Sequence, residues 1–442
     1  MKIPEAPPPI PNDFHYGDVL DDLVKIRKFR DFFQINENQY PYWEKWKYIA
    51  REWGYDETKL WAAVRIIRGG NNLQLTSSYL FKINAPSLMQ KYMHEFDMNL
   101  GGSIQSDGII PSQEKERYLL SSLMEEAIAS SQLEGAVTTR KLAKEMLETN
   151  RKPRNESEQM IANNYEGMKW IVRNKNKPFT IDNILELHGI ITRNTLANSK
   201  DEGAFRSDDT INVVDVQTGE IVHMPPSFER LQELMLAFCD FANQKEPDRF
   251  FVHPITRGII LHFLLGFIHP FADGNGRTAR SVFYWYLVKK GYWLVEYMSV
   301  SRVILQAKAQ YARAYLHTEL DDNDLTYFIL YNLRCLQIAL KELKKYIERK
   351  TKEKDSTIGL LRNTVFNDRQ ISLLQEIIHD QSISFSVNQL QQWFKVSNQT
   401  ARNDLNELAN AGLLEFRKSG KQLRFFATQN FTQILSAMQG QH

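Results

Sequence analysis

Apolar positions recur at helical spacing along most of this chain. Residues 41–68, PYWEKWKYIAREWGYDETKLWAAVRIIR, read as helical, with Trp and Tyr among the apolar groups. The run SQEKERYLLSSLMEEAIASSQLE (112–134) predicts a helix, with Ser112 as N-cap, Glu114 and Glu116 in the first turn and Gly135 as the stop. The same periodicity predicts helices at 139–148, 156–174, 180–195, 228–243, 255–268, 276–290, 302–318 and 324–349. Before residue 380, strand alternation stands out only in TINVVDVQTGEIVHMPP (210–226). There, β-branched residues flank Thr-Gly and predict a β-hairpin ended by Pro225 and Pro226. The expected fold class is mainly α.

The window ITRGIILHFLLGFI (255–268) is the most apolar, but it is short and contains Arg257 and His262. A membrane span needs about 20 apolar residues, so this window predicts a helix inside a protein core, and no membrane partner is expected. After a charged, weakly patterned stretch at 350–368, read as a linker, comes a compact set: a helix at 369–379, SFSVNQLQQWFK, VSNQTARNDLNELANAGLLEF and RKSGKQLRFFA. Ser397 is the predicted N-cap of a helix with Ala401, Leu405, Leu408 and Ala409 on one face and Asn398, Gln399, Arg402 and Asn403 on the other. Two strands follow, with Ser-Gly at their tip. This succession predicts a winged helix-turn-helix over 369–442.

A length of 442 residues exceeds one ordinary core and implies two or three domains. The expected division is a helical, Trp-rich region at 1–110, a central helical domain at 111–349, the linker and the C-terminal module. A net charge of +2 gives no bulk argument for nucleic acid or membrane. Cys239 and Cys335 both lie in apolar helical runs and are expected to be buried free thiols, which suits a reducing, cytoplasmic setting. The N-terminal MKIPEAPPPIPN has no apolar run, so a signal peptide is not expected there.

The chemistry concentrates in HPFADGNGRTAR (269–280). Gly274-Asn275-Gly276 permits positive φ and close backbone approach, and successive N–H groups in such a turn make an anion nest. A predicted helix opens there, and its N-terminus favours phosphate. Arg277 and Arg280, three apart, share nearly one face and can hold nucleotide phosphates. Asp273 beside phosphates calls for a bridging cation, and Mg²⁺ takes one or two carboxylates plus phosphate oxygens. His269 at the mouth of the nest is a candidate general base for a hydroxyl. Phe271 reads as an inward anchor of the loop.

At every defined position this stretch resembles the signature of Fic-domain proteins: His, x, Phe, x, Asp/Glu, Gly-Asn-Gly-Arg, x, x, Arg. The resemblance extends over roughly 112–345 and includes GAFR (203–206). It implies protein adenylylation, in which AMP passes from ATP to a Ser, Thr or Tyr hydroxyl of a target protein and pyrophosphate leaves. His269 would take the hydroxyl proton, and Asp273 would bind Mg²⁺ across the α- and β-phosphates. Gly274, Asn275 and Gly276 would cradle phosphates, and Arg277 and Arg280 would hold the outer ones. Gly276 separates this chain from a branch of the family that carries lysine there and transfers a phosphate group. The 210–226 hairpin falls where the family has a flap, whose edge would add a target strand through contacts such as Ile221 and Val222. Tyr311 would lie near the adenine. Family members often dimerise, so a homodimer is the expectation.

SSQLEG (130–135) matches the family's inhibitory pattern Ser/Thr-x-x-x-Glu-Gly/Asn. Ser130 and Glu134 are four apart and share a helical face. The Glu134 carboxylate would pair with Arg280 and keep ATP in a non-productive pose, acting within its own chain, with Gly135 ending the helix. The same glutamate would equally serve an enzyme that removes AMP, by orienting water. The C-terminal module points to a partner, either DNA through the second helix in a major groove or another protein. Residues 351–442 hold 10 Lys and Arg against 8 Asp and Glu, a weak basis for phosphate binding. An alternative reading of the whole chain is a DNA-binding regulator whose Fic domain only senses nucleotide.

Overall fold

The computed structural model describes residues 3–100, 115–215, 218–245, 250–361, 366–381, 383–419 and 422–439. The described chain is mainly helical. It divides into two compact units. The first comprises Met1–Gly102, Glu125–Ala143 and Pro153–Ala339, and the second Ser103–Met124, Lys144–Lys152 and Leu340–His442. The N-terminal region thus falls in the same unit as the residues around the glycine-rich loop.

The first unit opens with α1 (Tyr16–Lys25), α2 (Phe29–Gln39), α3 (Trp43–Glu52) and α4 (Glu57–Ile67). The helical reading of 41–68 resolves into two helices because Gly54 takes φ +64° and ends the first, and Asp56 caps the second by accepting from the Lys59 N–H at 2.8 Å. Leu23, Phe32, Trp46, Leu60 and Trp61 close a core of their own here. Burying each such side chain stabilises by about 1.5–3 kcal/mol. A hairpin that the pattern did not reveal follows, β1 (Asn71–Thr76) against β2 (Tyr79–Ile83), with Leu73 opposite Phe81. Its Ser77-Ser78 tip lacks the Gly or Asn that marks a tight turn. Then come α5 (Ser87–Leu100), α6 (Lys115–Leu133) and α7 (Arg140–Thr149), of which α6 and α7 each contribute residues to both units. Ser112, the expected cap of α6, lies outside the described residues.

The first unit continues with α8 (Glu156–Arg173) and α9 (Ile181–Thr192). The hairpin read at 210–226 is shorter than its alternation suggested: β3 (Val213–Val214) pairs antiparallel with β4 (Ile221–His223), and residues 216–217 lie outside the description. Next are α10 (Leu231–Asn243), α11 (Pro254–Ile268) and α12 (Asn275–Lys289). The 255–268 window is the buried helix expected. In α11, Arg257 and His262 are as buried as the leucines, and Arg257 donates to the Phe241 carbonyl at 2.8 Å. No helix among the described residues is long and apolar enough to cross a membrane. The predicted helix 302–318 is two helices, α13 (Val300–Gln306) and α14 (Lys308–Leu320), broken at Ala307 and begun by a Ser299 cap. The one predicted at 324–349 is α15 (Thr326–Leu361). Most of the 350–368 stretch read as a linker is therefore helix. Its Lys and Glu residues are good helix formers, so a charged run without apolar periodicity still extends the preceding helix.

In the second unit, α16 (Asp368–His379) starts with a capping box from Asn367 and Gln370. A three-stranded sheet of order β5-β7-β6, from Ser384–Phe385, Gln422–Ala427 and Leu414–Ser419, flanks α17 (Val387–Phe394) and α18 (Asn398–Asn410). Ala401, Leu405 and Leu408 face the core with Leu374, Ile377, Leu390 and Phe425, while Asn398, Gln399, Arg402 and Asn403 are exposed. The Arg369 guanidinium meets the buried Asp404 carboxylate at 2.7 Å. The short β5 and α19 (Phe431–Gln439) were not anticipated, and the Ser-Gly wing tip extends beyond the described residues at Gly420. Cys239 and Cys335 are free and buried.

Candidate active site

The buried helix α11 stops at His269, which takes the left-handed conformation (φ 48°, ψ 57°) while its N–H still reaches the Leu265 carbonyl at 3.0 Å. Pro270 cannot continue the helix. The imidazole Nδ1 lies 3.1 Å from the Gly266 carbonyl. A carbonyl only accepts, so Nδ1 carries the proton and Nε2 keeps a lone pair. Burial lowers the His269 pKa below its ordinary value, outweighing the Gly266 carbonyl that favours the charged form. The ring is therefore neutral near pH 7, the state a base requires.

The loop that follows is fixed from three sides. Phe271 is fully buried and stacks on His188, with centroids 3.7 Å apart and planes 6° from parallel. His188 Nδ1 accepts from the Gly203 N–H at 3.0 Å, which leaves Nε2–H to donate to the Asp273 carbonyl at 2.8 Å. Burial pushes the His188 pKa down to about 4, so this clamp is neutral. The Asn275 side chain accepts from the Phe271 N–H at 3.0 Å and donates to its carbonyl at 2.8 Å. This side chain therefore shapes the loop, and any phosphate contact by Asn275 falls to its backbone. Gly274 has φ +83°, and a Cβ there would come within 2.7 Å of Thr192 Cγ2.

Asp273 projects to solvent; its Oδ1 accepts from the Gly274 N–H at 2.6 Å and its Oδ2 faces Arg277 at 3.2 Å. Among the described residues no cluster of three or more His, Cys, Asp or Glu could hold a metal. One exposed carboxylate does fit Mg²⁺, which keeps water and phosphate oxygens as its remaining ligands. Arg277 is wholly buried and bonds the Ile191 carbonyl at 3.3 Å besides Asp273. In this structure it braces Asp273 from beneath, where the sequence pattern had placed it on an outer phosphate.

Arg280 is the guanidinium that meets α6. It donates through Nε to Ser130 Oγ at 2.9 Å, and through its second terminal nitrogen to the Ser130 carbonyl at 2.9 Å and Glu134 Oε1 at 2.8 Å. Arg280 is 3% exposed and the Glu134 side chain 31%. The carboxylate lies directly over Gly276, so closely that a Cβ there would collide with Oε1. It thus occupies the positive end of α12, where an anion is most favoured. Gly135, at φ +97°, ends α6 and turns the chain away. One turn before Ser130, the buried Glu126 accepts from Tyr284 Oη at 2.8 Å, Ser299 Oγ at 3.0 Å and the Ser301 N–H at 3.0 Å, as well as from Ser301 Oγ. Glu126 and Ser130 of α6, with Glu134 just past its end, therefore form one polar stripe facing α12 and α13.

Three further residues tie the site together. Arg206, from GAFR, donates to the carbonyls of His269 at 3.0 Å, Asp208 at 2.7 Å and Pro226, and to Asp209 at 2.7 Å. His223 on β4 bridges Glu319 and the Phe267 carbonyl. Tyr311 Oη lies 2.7 Å from His262 Nε2 amid the rings of Tyr315, Phe328 and Tyr331. Ile221 is exposed and Val222 half-buried. Of these, His223 had no signal in the sequence. His188 lies 85 residues from the carbonyl it holds, a distance no spacing rule spans.

Residues 178–287 match the Fic/DOC family, and residues 369–420 match the DeoR-like helix-turn-helix domain. A protein adenylyltransferase Fic from Nematostella vectensis is 36% identical over 118 residues, 27% of this chain and 25% of its own length. One from Aedes aegypti is 34% identical over 128 residues, 28% of this chain and 23% of its own. This chain thus matches about a quarter of the length of these curated relatives. Among solved structures, a Fic family protein from Desulfovibrio desulfuricans G20 is similar over 77% of this chain and 94% of its own, at 21% identity and a TM-score of 0.47. The protein carries a Fic domain, with a DeoR-like helix-turn-helix domain C-terminal to it.

Proposed function

We propose that this protein transfers AMP from ATP to a Ser, Thr or Tyr hydroxyl of a target protein and that Glu134 restrains the reaction. The observation that carries this reading is the pairing of a neutral His269, its Nε2 lone pair unengaged by the Gly266 bond, with an anion site at the start of α12 that Glu134 occupies. The family match and the adenylyltransferase relatives support the choice of reaction.

The target oxygen attacks the α-phosphorus in line, the bond to the β-phosphate bridging oxygen breaks, and pyrophosphate leaves. His269 Nε2 accepts the hydroxyl proton. The N–H groups opening α12 and the Arg280 guanidinium hold the phosphates in place, so the protein's part is positioning and fixed charge. Asp273 would hold Mg²⁺, which when bound neutralises phosphate charge. Arg277 keeps the Asp273 carboxylate oriented. The exposed edge at Val214 and Ile221 accepts an extended target segment as an added strand. ATP cannot seat its terminal phosphate on Arg280 while Glu134 is there.

The test uses ATP labelled on the α-phosphate with wild type, Glu134→Gly, and Glu134→Gly with His269→Ala. Strong labelling of protein confined to the Glu134→Gly form is the expected result. Labelling that survives His269→Ala, or none in any form with candidate targets present, refutes the reading. For the second domain, the exposed Asn398, Gln399, Arg402 and Asn403 on α18 and Arg417 and Lys418 on β6 support DNA as the partner. A gel shift with the full chain at low salt, weakened by Arg402→Ala, tests it.

A further inference from the structure

One histidine of the flap strand bonds two elements outside the hairpin. His223 closes β4, opposite Val213 of β3. Its Nδ1 lies 2.7 Å from Glu319 Oε2 on α14, and its Nε2 lies 2.8 Å from the Phe267 carbonyl in the last turn of α11. The side chain is 9% exposed and that of Glu319 is 20%. Both partners are acceptors: a carbonyl has no proton to give, and a carboxylate is acceptor-only when ionised. A neutral imidazole has one N–H and can satisfy only one of them. Only the doubly protonated ring makes both bonds.

We propose that His223 is a positioning residue that clasps the target-docking strand to the end of the catalytic-histidine helix while it carries two protons, and releases that strand when it loses one. The titratable groups facing it are Glu319 from α14 and His269 from the end of α11, while β3 presents Val213. Burial works against the charge, but Glu319 and the Phe267 carbonyl outweigh it and hold the His223 pKa above its ordinary value. The clasp is thus closed below that raised pKa and opens as pH rises through it. It has a second effect. The positive charge at His223 bears on His269 and favours its neutral form. One proton therefore holds the strand that presents the hydroxyl and favours the state of the base that deprotonates it. Arg206 reinforces the coupling by bonding the His269 and Pro226 carbonyls, just beyond the strand.

The consequence for target docking rests on the adenylyl-transfer reading; the clasp itself does not. The test is made on the full chain with ¹⁵N-labelled histidine, with His223 assigned by loss of its signals in His223→Gln. Wild type should show both His223 ring nitrogens protonated at pH 6, and Glu319→Leu, which offers neither donor nor acceptor, should convert the ring to a single neutral tautomer. Amide exchange at 213–214 and 221–223, corrected for the intrinsic pH dependence, should speed up about ten-fold or more in Glu319→Leu at pH 6, matching the loss of one charged hydrogen bond. In wild type the same increase should appear on raising the pH. A neutral His223 in wild type at pH 6, or flap exchange unchanged by Glu319→Leu, overturns the proposal. Should the flap loosen as described while Glu134→Gly transfers no AMP, the clasp stands and the adenylyl-transfer reading falls.

Discussion

Replacing Glu134 with glycine is the sharpest perturbation the site offers. The Glu134 carboxylate makes one charge-assisted bond of 2.8 Å to Arg280 and fills the space above Gly276. Ser130 keeps its two bonds to Arg280 in the variant, so the guanidinium stays in place with one terminal donor freed. A hydrogen bond to a charged group contributes about 1.5–3 kcal/mol. If ATP must displace it to seat its terminal phosphate, the variant should bind ATP with Mg²⁺ roughly 10- to 100-fold more tightly, at 1.4 kcal/mol per decade. ADP, which has no terminal phosphate, should gain much less. Isothermal titration of both nucleotides against wild type, Glu134→Gln and Glu134→Gly measures this, with the glutamine variant, which keeps the bulk but not the charge, falling between. Equal gains for ATP and ADP, or none for ATP, would refute the assignment of Arg280 to the terminal phosphate. The same variants also address AMP removal: if Glu134 orients water, Glu134→Gly should lose release of AMP from a pre-modified target.

Other expectations follow from single contacts. Gly276→Ala puts a methyl against the Glu134 carboxylate, so it should cost stability in wild type but little in the Glu134→Gly background; a double-mutant cycle by thermal unfolding should show coupling of about 1 kcal/mol. His188→Phe keeps the stack on Phe271 but leaves the Gly203 N–H and Asp273 carbonyl without their partner, at a cost of about 1–3 kcal/mol each. His188 has its pKa pushed below the ordinary 6.5, to about 4. The unfolded chain therefore binds the extra proton first as pH falls from about 6.5, and wild-type stability should decline through that window; denaturant titrations of His188→Phe should show this slope reduced. Glu126→Ala strands the Tyr284, Ser299 and Ser301 donors, and should lower the unfolding midpoint and raise self-labelling by loosening α6.

The helices could be read from apolar periodicity, and 269–280 from its local order of residue types, because both signals lie within a few turns of chain. The Arg280–Glu134 pair was legible as well, since a short pattern named each half. What escaped was whatever depends on two distant segments. His188 looks like an ordinary polar residue in an apolar helix until Gly203 and Asp273 arrive on either side of it. The sequence places Asn275 in a phosphate nest through its backbone and Arg277 on phosphate through its guanidinium, but is silent on where the Asn275 side chain goes and on what else Arg277 holds. The fold directs the Asn275 side chain at Phe271 and the Arg277 guanidinium at Asp273 and Ile191, bonds set by a loop conformation that spacing does not encode. The β1–β2 hairpin was missed because its Ser-Ser tip carries no left-handed residue to mark a turn.

The reciprocal bonds between Asn275 and the peptide groups of Phe271 close a small ring within the chain. A segment stitched to itself in this way needs no nucleotide to organise it, so binding should be accompanied by little conformational entropy loss there. Control by ordering the loop is thereby foregone, and a device that works by exclusion, with one carboxyl group seated in the ligand's place, is the kind of regulation such a rigid cradle leaves available.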